Sequence, residues 1–232
     1  MSNVHVLKAC VEERTHPCHP VFGPALPRSF YARPTVVVAR DLVGRVLVHI
    51  TPEGDIAGII VEAEAYGPDD PANHAFRGKT ARNRTMFGPP GHAYVYLIYG
   101  MYRCVNAVTV AEGVGEGVLI RALEPVAGIP IMQRHRRTEN LRLLCSGPGR
   151  LCEALGITRE MDGTDLTTGP LWIAAGHPPK EEEIIATPRV GIREATERHW
   201  RFLLRGNPYV SRGELALSLR SVRKEPGGRT SR

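Results

Sequence analysis

Residues 46–66, "VLVHITPEGDIAGIIVEAEAY", constrain the fold more than any other segment of the chain. Both halves are rich in Val and Ile, and the second half alternates with period two, which is typical of β-strands. The "TPEGD" stretch between the halves contains the residue types that favour turns. We therefore predict a β-hairpin whose first strand ends near Ile50 and whose second strand ends at Tyr66.

Further strand and helix patterns surround this hairpin. "GHAYVYLIYGMYRCVNAVTV" predicts a second hairpin that turns at Gly100, and "GVLIRALEP" predicts a strand that ends at Pro125. Helices are predicted in "PTVVVARDLV", "VAGIPIMQRHRR" and "PGRLCEALG", and short strands or connectors in "LWIAA", "IIATPRVGI" and "WRFLLRG". The predicted fold class is α+β: a single compact domain with a curved, mainly antiparallel sheet, flanking helices and a protruding β-hairpin.

Composition separates the two ends of the chain from this domain. Residues 1–30 are rich in Pro, His and Cys without periodicity, so we predict a disordered arm. Residues 220–232 are basic and poor in apolar side chains, so we predict a disordered tail. The catalytic or binding domain is therefore expected within residues 31–219.

Charge and cysteine usage narrow the class of protein and its partners. The 232 residues carry a net charge of +6, which favours an anionic partner such as nucleic acid. No apolar run reaches the length of a membrane span, and the first thirty residues lack a secretory signal pattern. Five widely spread cysteines indicate a reducing compartment rather than a disulfide framework. We expect a soluble monomer that is not secreted: cytoplasmic in a bacterium, nuclear in a eukaryote.

One face of the "IIVEAEAY" strand carries two carboxylates and a tyrosine. Strict alternation separates two sets of residues: Ile59, Val61, Ala63 and Ala65 on one face, and Ile60, Glu62, Glu64 and Tyr66 on the other. This second set forms either a solvated face or the wall of an active site. The pattern alone favours the solvated face.

Arginine and tyrosine side chains elsewhere in the sequence favour the interpretation as the wall of an active site. Arg121 lies within the apolar "VLIRALEP" strand and needs a carboxylate partner, for which Glu62 and Glu64 are both candidates. Four of the seven tyrosines fall within residues 94–102, and Tyr99 lies at the predicted hairpin turn. The loop "RGKTARNRTMFG" is basic and free of acids, which suits contact with phosphate.

Several motifs of other enzyme classes are absent from the sequence. There is no phosphate-binding glycine loop, no G-x-S-x-G elbow, and no zinc-deaminase signature. In the N-terminal arm, Cys10, His16, Cys18 and His19 lack a second ligand cluster of matching spacing. We therefore predict neither a metal nor a cofactor.

Long stretches of the chain resemble the alkyladenine (3-methyladenine, or methylpurine) DNA glycosylases. The resemblance is carried by "EAEAYGPDDPANHAFRGKTARNRTMFGPPGHAYVYLIYGMYRCVNAVT", "GVLIRALEP", "LCSGPGRLCEALGI", "DLTTGPLWI", "TPRVGI" and "RGNPYVS", over about residues 35–213. It implies a monofunctional enzyme that flips damaged purines out of duplex DNA and hydrolyses the N-glycosidic bond, without a cofactor.

The resemblance also implies roles for individual side chains. Glu64 would be the general base, with Arg121 beside it. The pocket for the extrahelical base would be formed by Tyr66, His74, Tyr96 and Asn106. Contacts with DNA would be made by Tyr99, which enters the minor groove, and by Met101, Arg82 and Arg84. Glu62 would have a structural or solvated position.

Two other functions remain open from the residues alone. A non-catalytic lesion-binding module on the same fold would keep Tyr99 and the basic loop but would not need Glu64. A metal-dependent hydrolase would use His74, His92 and the acids of "PDD", although these residues lack the spacing of a usual ligand set.

Overall fold

The computed structural model describes residues 18–19, 22–98 and 100–211. Its strands are β1 Cys18–His19, β2 Gly23–Pro24, β3 Val46–Thr51, β4 Gly54–Tyr66, β5 Ala93–Ile98, β6 Tyr102–Thr109, β7 Glu116–Ala127, β8 Leu171–Ala174, β9 Ile184–Thr187 and β10 Arg201–Leu204. Its helices are α1 Arg28–Tyr31, α2 Thr35–Leu42, α3 Ile129–Arg136, α4 Leu141–Leu144 and α5 Pro148–Ala154, with 3₁₀ turns at Arg84–Phe87, Arg159–Met161 and Glu181–Glu183.

The long strand β4 organises an eight-stranded sheet. Strand β7 pairs with one edge of β4, while β3 and β10 pair with successive parts of its other edge. Strands β5 and β6 extend the sheet beyond β7, β9 extends it beyond β10, and β8 pairs with β3. Every pairing in the described part of the sheet is antiparallel, so the predicted α+β class and both predicted hairpins are confirmed.

The two faces of this sheet have different roles. Helices α2, α3 and α5 contact the sheet and form the main core with apolar side chains that alternate along the strands, including Ile60, Ala63, Val95, Val105 and Ile120. The intervening positions on the same strands form a second cluster, which contains Tyr94, Tyr96, Cys104 and Leu119. The fold is therefore stabilised by one face and presents aromatic side chains on the other.

A β-bulge interrupts the alternation of side chains that was predicted for β4. The register with β7 is interrupted between Ile60 and Ala63, where Val61 has no partner on β7 and Arg121 has none on β4, and it is the same before and after this point. Ile60 and Ala63 consequently belong to the same core cluster, whereas Val61 packs with Leu203 on the opposite side. Strict period two was therefore wrong for this stretch. Glu62 and Glu64 still lie close together, since both accept hydrogen bonds from Arg121.

Strand β7 also departs from the prediction, because it passes through Pro125 and ends at Ala127. Pro125 pairs with Gly58 at a second register shift in β4. A proline has no N–H to donate, and strands tolerate it at such irregular positions.

The last residues of the predicted N-terminal arm contact the sheet. Leu26 is buried and donates its N–H to the Ile173 carbonyl at 2.8 Å. The residues Cys10 and His16, for which no zinc site was predicted, and the basic tail lie outside the described residues. Only the backbone of Cys18 and His19 is described in this part of the arm. No helix in the described part of the chain has the length and apolarity required to span a membrane.

Candidate active site

Two buried carboxylates on β4 share one arginine. Arg121, on the neighbouring strand β7, donates from Nε to Glu62 Oε1 at 3.0 Å and from Nη1 to Glu64 Oε2 at 3.3 Å. Both carboxylates are fully buried, so the solvated-face interpretation was wrong. Burial acts to lower the pKa of Arg121, but the two carboxylates outweigh it and raise that pKa above its ordinary value.

Glu64 has three hydrogen-bond donors around its carboxylate. The Tyr66 hydroxyl donates to Oε2 at 2.9 Å beside Arg121, and the Val190 N–H donates to Oε1 at 2.8 Å. An ionised carboxylate offers about four acceptor positions, so about one remains for a further donor. Burial and the Glu64 charge raise the pKa of Tyr66, which keeps its hydroxyl protonated as that donor.

An aromatic pocket of about 530 Å³ adjoins this cluster. Its walls contain all three partners of Glu64, namely Tyr66, Arg121 and Val190, together with other side chains from β5, β6 and the loop after β4. The predicted pocket residues among them are Tyr66, His74, Tyr96 and Asn106. Burial raises the pKa of Tyr94 to about 12 and raises that of Tyr96 still further, so both phenols are neutral.

Ring contacts hold the aromatic wall of the pocket together. The Tyr94 and Tyr96 rings stack with centroids 5.3 Å apart, and the His74 ring meets Tyr96 edge-on at 4.4 Å. Asn106 donates from Nδ2 to the Tyr94 carbonyl at 3.1 Å, which fixes its amide at the pocket floor. The pocket thus offers flat π-faces beside a few fixed polar groups.

His74 is uncharged at neutral pH. Burial of its ring against the tyrosines, and then the positive charge of Arg82, lower the pKa of His74 below its ordinary value. A neutral imidazole at this position does not repel a positively charged ligand.

Arg82→Gln is expected to raise the pKa of His74, because it removes the cation that disfavours protonation. The shift is measured by NMR titration of the His74 ring protons. Arg84→Gln is the matched control, since Arg84 is exposed on the same segment but does not contribute to the His74 shift. Equal titration curves for all three proteins would contradict this electrostatic coupling.

The segment after β9 forms part of the pocket wall, which sequence patterns did not indicate. Arg189 is fully buried, forms an ion pair with Asp70 through both Nη atoms, and donates to the Ala65 carbonyl at 3.0 Å. Its guanidinium lies 4.7 Å from the centroid of the Tyr66 ring. This pair holds the loop after β4 against the segment that supplies Val190, and the following residues, 191–194, line the pocket.

The predicted DNA-contacting residues lie around the turn between β5 and β6. Tyr99 lies outside the described residues. Met101 is 65% exposed and Tyr102 is 49% exposed, so the turn presents apolar surface to solvent. Arg82 and Arg84 are exposed nearby, and Arg82 donates to the Leu97 carbonyl at 3.0 Å, which places its charge beside the hairpin.

The structure does not assemble the residues of the metal-hydrolase alternative. Asp70 is engaged by Arg189, while His92 lies near Arg28 and Asp165, and His74 lies at the pocket. Within the described ranges, no group of three His, Cys, Asp or Glu side chains is arranged to hold a metal ion.

Comparison with known proteins gives a consistent match. The profile described as "Methylpurine-DNA glycosylase (MPG)" matches residues 29–208. A Methanoculleus marisnigri protein named "Putative 3-methyladenine DNA glycosylase" is 55% identical over 190 residues, covering 81% of this chain and 98% of the relative. A Carboxydothermus hydrogenoformans protein of the same name is 51% identical over 188 residues, covering 81% of this chain and 98% of its own length.

Proposed function

Since this chain belongs to the methylpurine-DNA glycosylase family, we propose that it is a monofunctional glycosylase that starts base excision repair. Its substrates are damaged purines in duplex DNA, in the class of 3-methyladenine, 7-methylguanine, hypoxanthine and ethenoadenine. It hydrolyses the N-glycosidic bond with water and acts as a monomer in the compartment that contains the DNA. One observation carries this proposal: a fully buried carboxylate, Glu64, adjoins an aromatic pocket of about 530 Å³ through its three hydrogen-bond donors.

The pocket has the chemistry of a purine site. A purine inside a duplex is inaccessible, so it must be flipped out, at a cost of a few kcal/mol for unstacking. Stacking of a base on an aromatic side chain contributes about 1–3 kcal/mol, which offsets much of that cost. Tyr66 and Tyr96 provide such faces, and an alkylated, cationic purine gains cation–π attraction to them.

Glu64 is the proposed general base. It deprotonates a water that attacks the sugar C1′, and its negative charge stabilises the oxocarbenium-like transition state. Three donors already orient its carboxylate, and about one acceptor position remains for that water. Tyr66 and Arg121 both bind Oε2, so the remaining acceptor position is on Oε1, beside the Val190 N–H, and we propose that the water binds there.

The hairpin between β5 and β6 is the proposed DNA wedge. Met101 is exposed, and for Tyr99, two positions earlier in the sequence, we propose insertion into the minor groove, where such a side chain can fill the space left by a flipped base. Exposed Arg82 and Arg84 are the proposed phosphate contacts. Asn106, fixed at the pocket floor, is the proposed selectivity residue that crowds the exocyclic amine of normal guanine.

A direct assay tests this function against the alternative of a non-catalytic lesion-binding module. The protein is incubated with a duplex that contains one hypoxanthine or one 1,N6-ethenoadenine, and released base is measured by chromatography. We expect free base, and strand breakage at the lesion only after alkali. Tight binding without base release would support the lesion-binding module, and breakage without alkali would contradict monofunctional hydrolysis.

A further inference from the structure

Glu62, the other glutamate of β4 that contacts Arg121, accepts four hydrogen bonds. Its Oε1 accepts from Arg121 Nε at 3.0 Å, from Arg201 Nε at 2.6 Å and from Ser211 Oγ at 2.9 Å. Its Oε2 accepts from the Ser211 N–H at 2.7 Å. Burial alone would raise the pKa of Glu62, but Arg121 and Arg201 outweigh it and hold the pKa below its ordinary value.

These contacts distinguish Glu62 from Glu64. Four donors reach the Glu62 carboxylate, three of them on Oε1, whereas three donors reach Glu64. Only one partner of Glu62, Arg121, lines the pocket, whereas all three donors to Glu64 line it. Glu62 is therefore the poorer candidate for activating water at the pocket, but it does contact Arg121.

Arg121 is held by three different partners. Its Nε donates to Glu62, its Nη1 to Glu64, and its Nη2 to Ser211 Oγ at 3.4 Å. A guanidinium group is planar and rigid, so fixing Nε and Nη2 also fixes the direction of Nη1. Arg121 consequently gives Glu64 a single hydrogen bond rather than the paired hydrogen bonds that arginine and carboxylate commonly form.

We propose that Glu62 is a positioning residue that holds Arg121 in this single-bonded orientation and so leaves part of the Glu64 carboxylate available to activate water. The inference rests on the function proposed for Glu64. Without Glu62, Glu64 is the remaining carboxylate partner of Arg121 within the described structure, and a paired contact would occupy both of its oxygens. Ser211 completes the arrangement by binding Glu62 through its backbone and side chain, which connects the end of the described chain to the site.

The test uses a charge-balanced variant, because Glu62→Gln alone leaves two buried guanidinium groups short of a partner. Glu62→Gln/Arg201→Met removes one charge of each sign from the cluster. Excision is measured in single turnover on an ethenoadenine duplex, and binding is measured on a duplex with a tetrahydrofuran abasic-site analogue. We expect the excision rate to fall by about 10- to 100-fold, as for other displaced catalytic groups, while Kd stays within about threefold.

Two further variants separate positioning from a merely structural role. Glu62→Asp keeps the negative charge and is expected to recover part of the lost rate. Glu124→Gln is the matched control: Glu124 accepts from Asn207 Nδ2 at 2.8 Å and so tethers the same C-terminal segment without contacting Arg121. We expect Glu124→Gln to excise at the wild-type rate.

The results distinguish failure of the positioning role of Glu62 from failure of the proposed function. Wild-type rates in the Glu62 variants, or losses of rate and affinity that Glu124→Gln reproduces, would overturn the positioning role. Those results would leave the proposed function intact, provided that wild-type protein releases base and Glu64→Gln does not. Failure of the wild-type protein to release any damaged base would overturn both proposals.

Discussion

Glu64→Gln is expected to slow base excision by about 10²- to 10⁴-fold, the usual contribution of a general base. The amide has almost the shape of the carboxylate, so the pocket and the DNA-binding surface persist. It has neither the basicity to accept the proton of the attacking water nor the charge to stabilise the developing sugar cation. The rate is measured in single turnover with the protein in excess, and Kd is measured on the same lesion duplex.

A matched control for this variant is Glu116→Gln. Glu116 is another buried carboxyl of the sheet; its Oε2 accepts from Thr35 Oγ1, and burial raises its pKa. It does not line the pocket, so we expect nearly wild-type excision. If Glu64→Gln and Glu116→Gln lowered the rate equally, the loss would reflect a general disturbance of the sheet rather than chemistry at Glu64.

Asp70→Asn is expected to lower the free energy of unfolding by about 3–5 kcal/mol, because it leaves the buried Arg189 charge without its partner. Both side chains of the pair have no exposed surface. The change would also loosen the contact between the loop after β4 and the segment that carries Val190, whose N–H binds Glu64. Urea denaturation measures the stability, and single-turnover excision measures the effect on the site.

Asp69→Asn provides the comparison, since Asp69 is the exposed neighbour of Asp70 and its replacement should change stability by less than about 0.5 kcal/mol. The double variant Asp70→Asn/Arg189→Met removes both charges and should be more stable than Asp70→Asn. Equal stability of Asp70→Asn and Asp69→Asn would contradict the importance of the buried ion pair.

Much of this architecture follows from local sequence patterns. The Val- and Ile-rich runs around "TPEGD" predicted the β3–β4 hairpin, because the turn residues and the strand formers agree. Arg121 within an apolar strand predicted a carboxylate partner, since a buried charge must be compensated. Pattern alone did not choose between Glu62 and Glu64, and in the structure both contact Arg121.

The features that were missed depend on long-range contacts. The sequence did not indicate the bulge at Val61, because an apolar residue is compatible with either face of the strand. Arg189 and Val190 contact β4 at Ala65 and Glu64, which are 124 and 126 residues away in the sequence, so no local pattern indicates these contacts. Ser211 likewise has no local signal, since its importance comes entirely from its contact with Glu62.

The most direct test of the central claim follows the fluorescence of a single 1,N6-ethenoadenine after rapid mixing of its duplex with protein. The wild-type protein should give two phases: a fluorescence change as the base leaves the stack, and a slower one as the free base is released. Glu64→Gln should retain the first phase and lose the second within the same observation time. A second phase of wild-type rate in Glu64→Gln would contradict the assignment of Glu64 as the base.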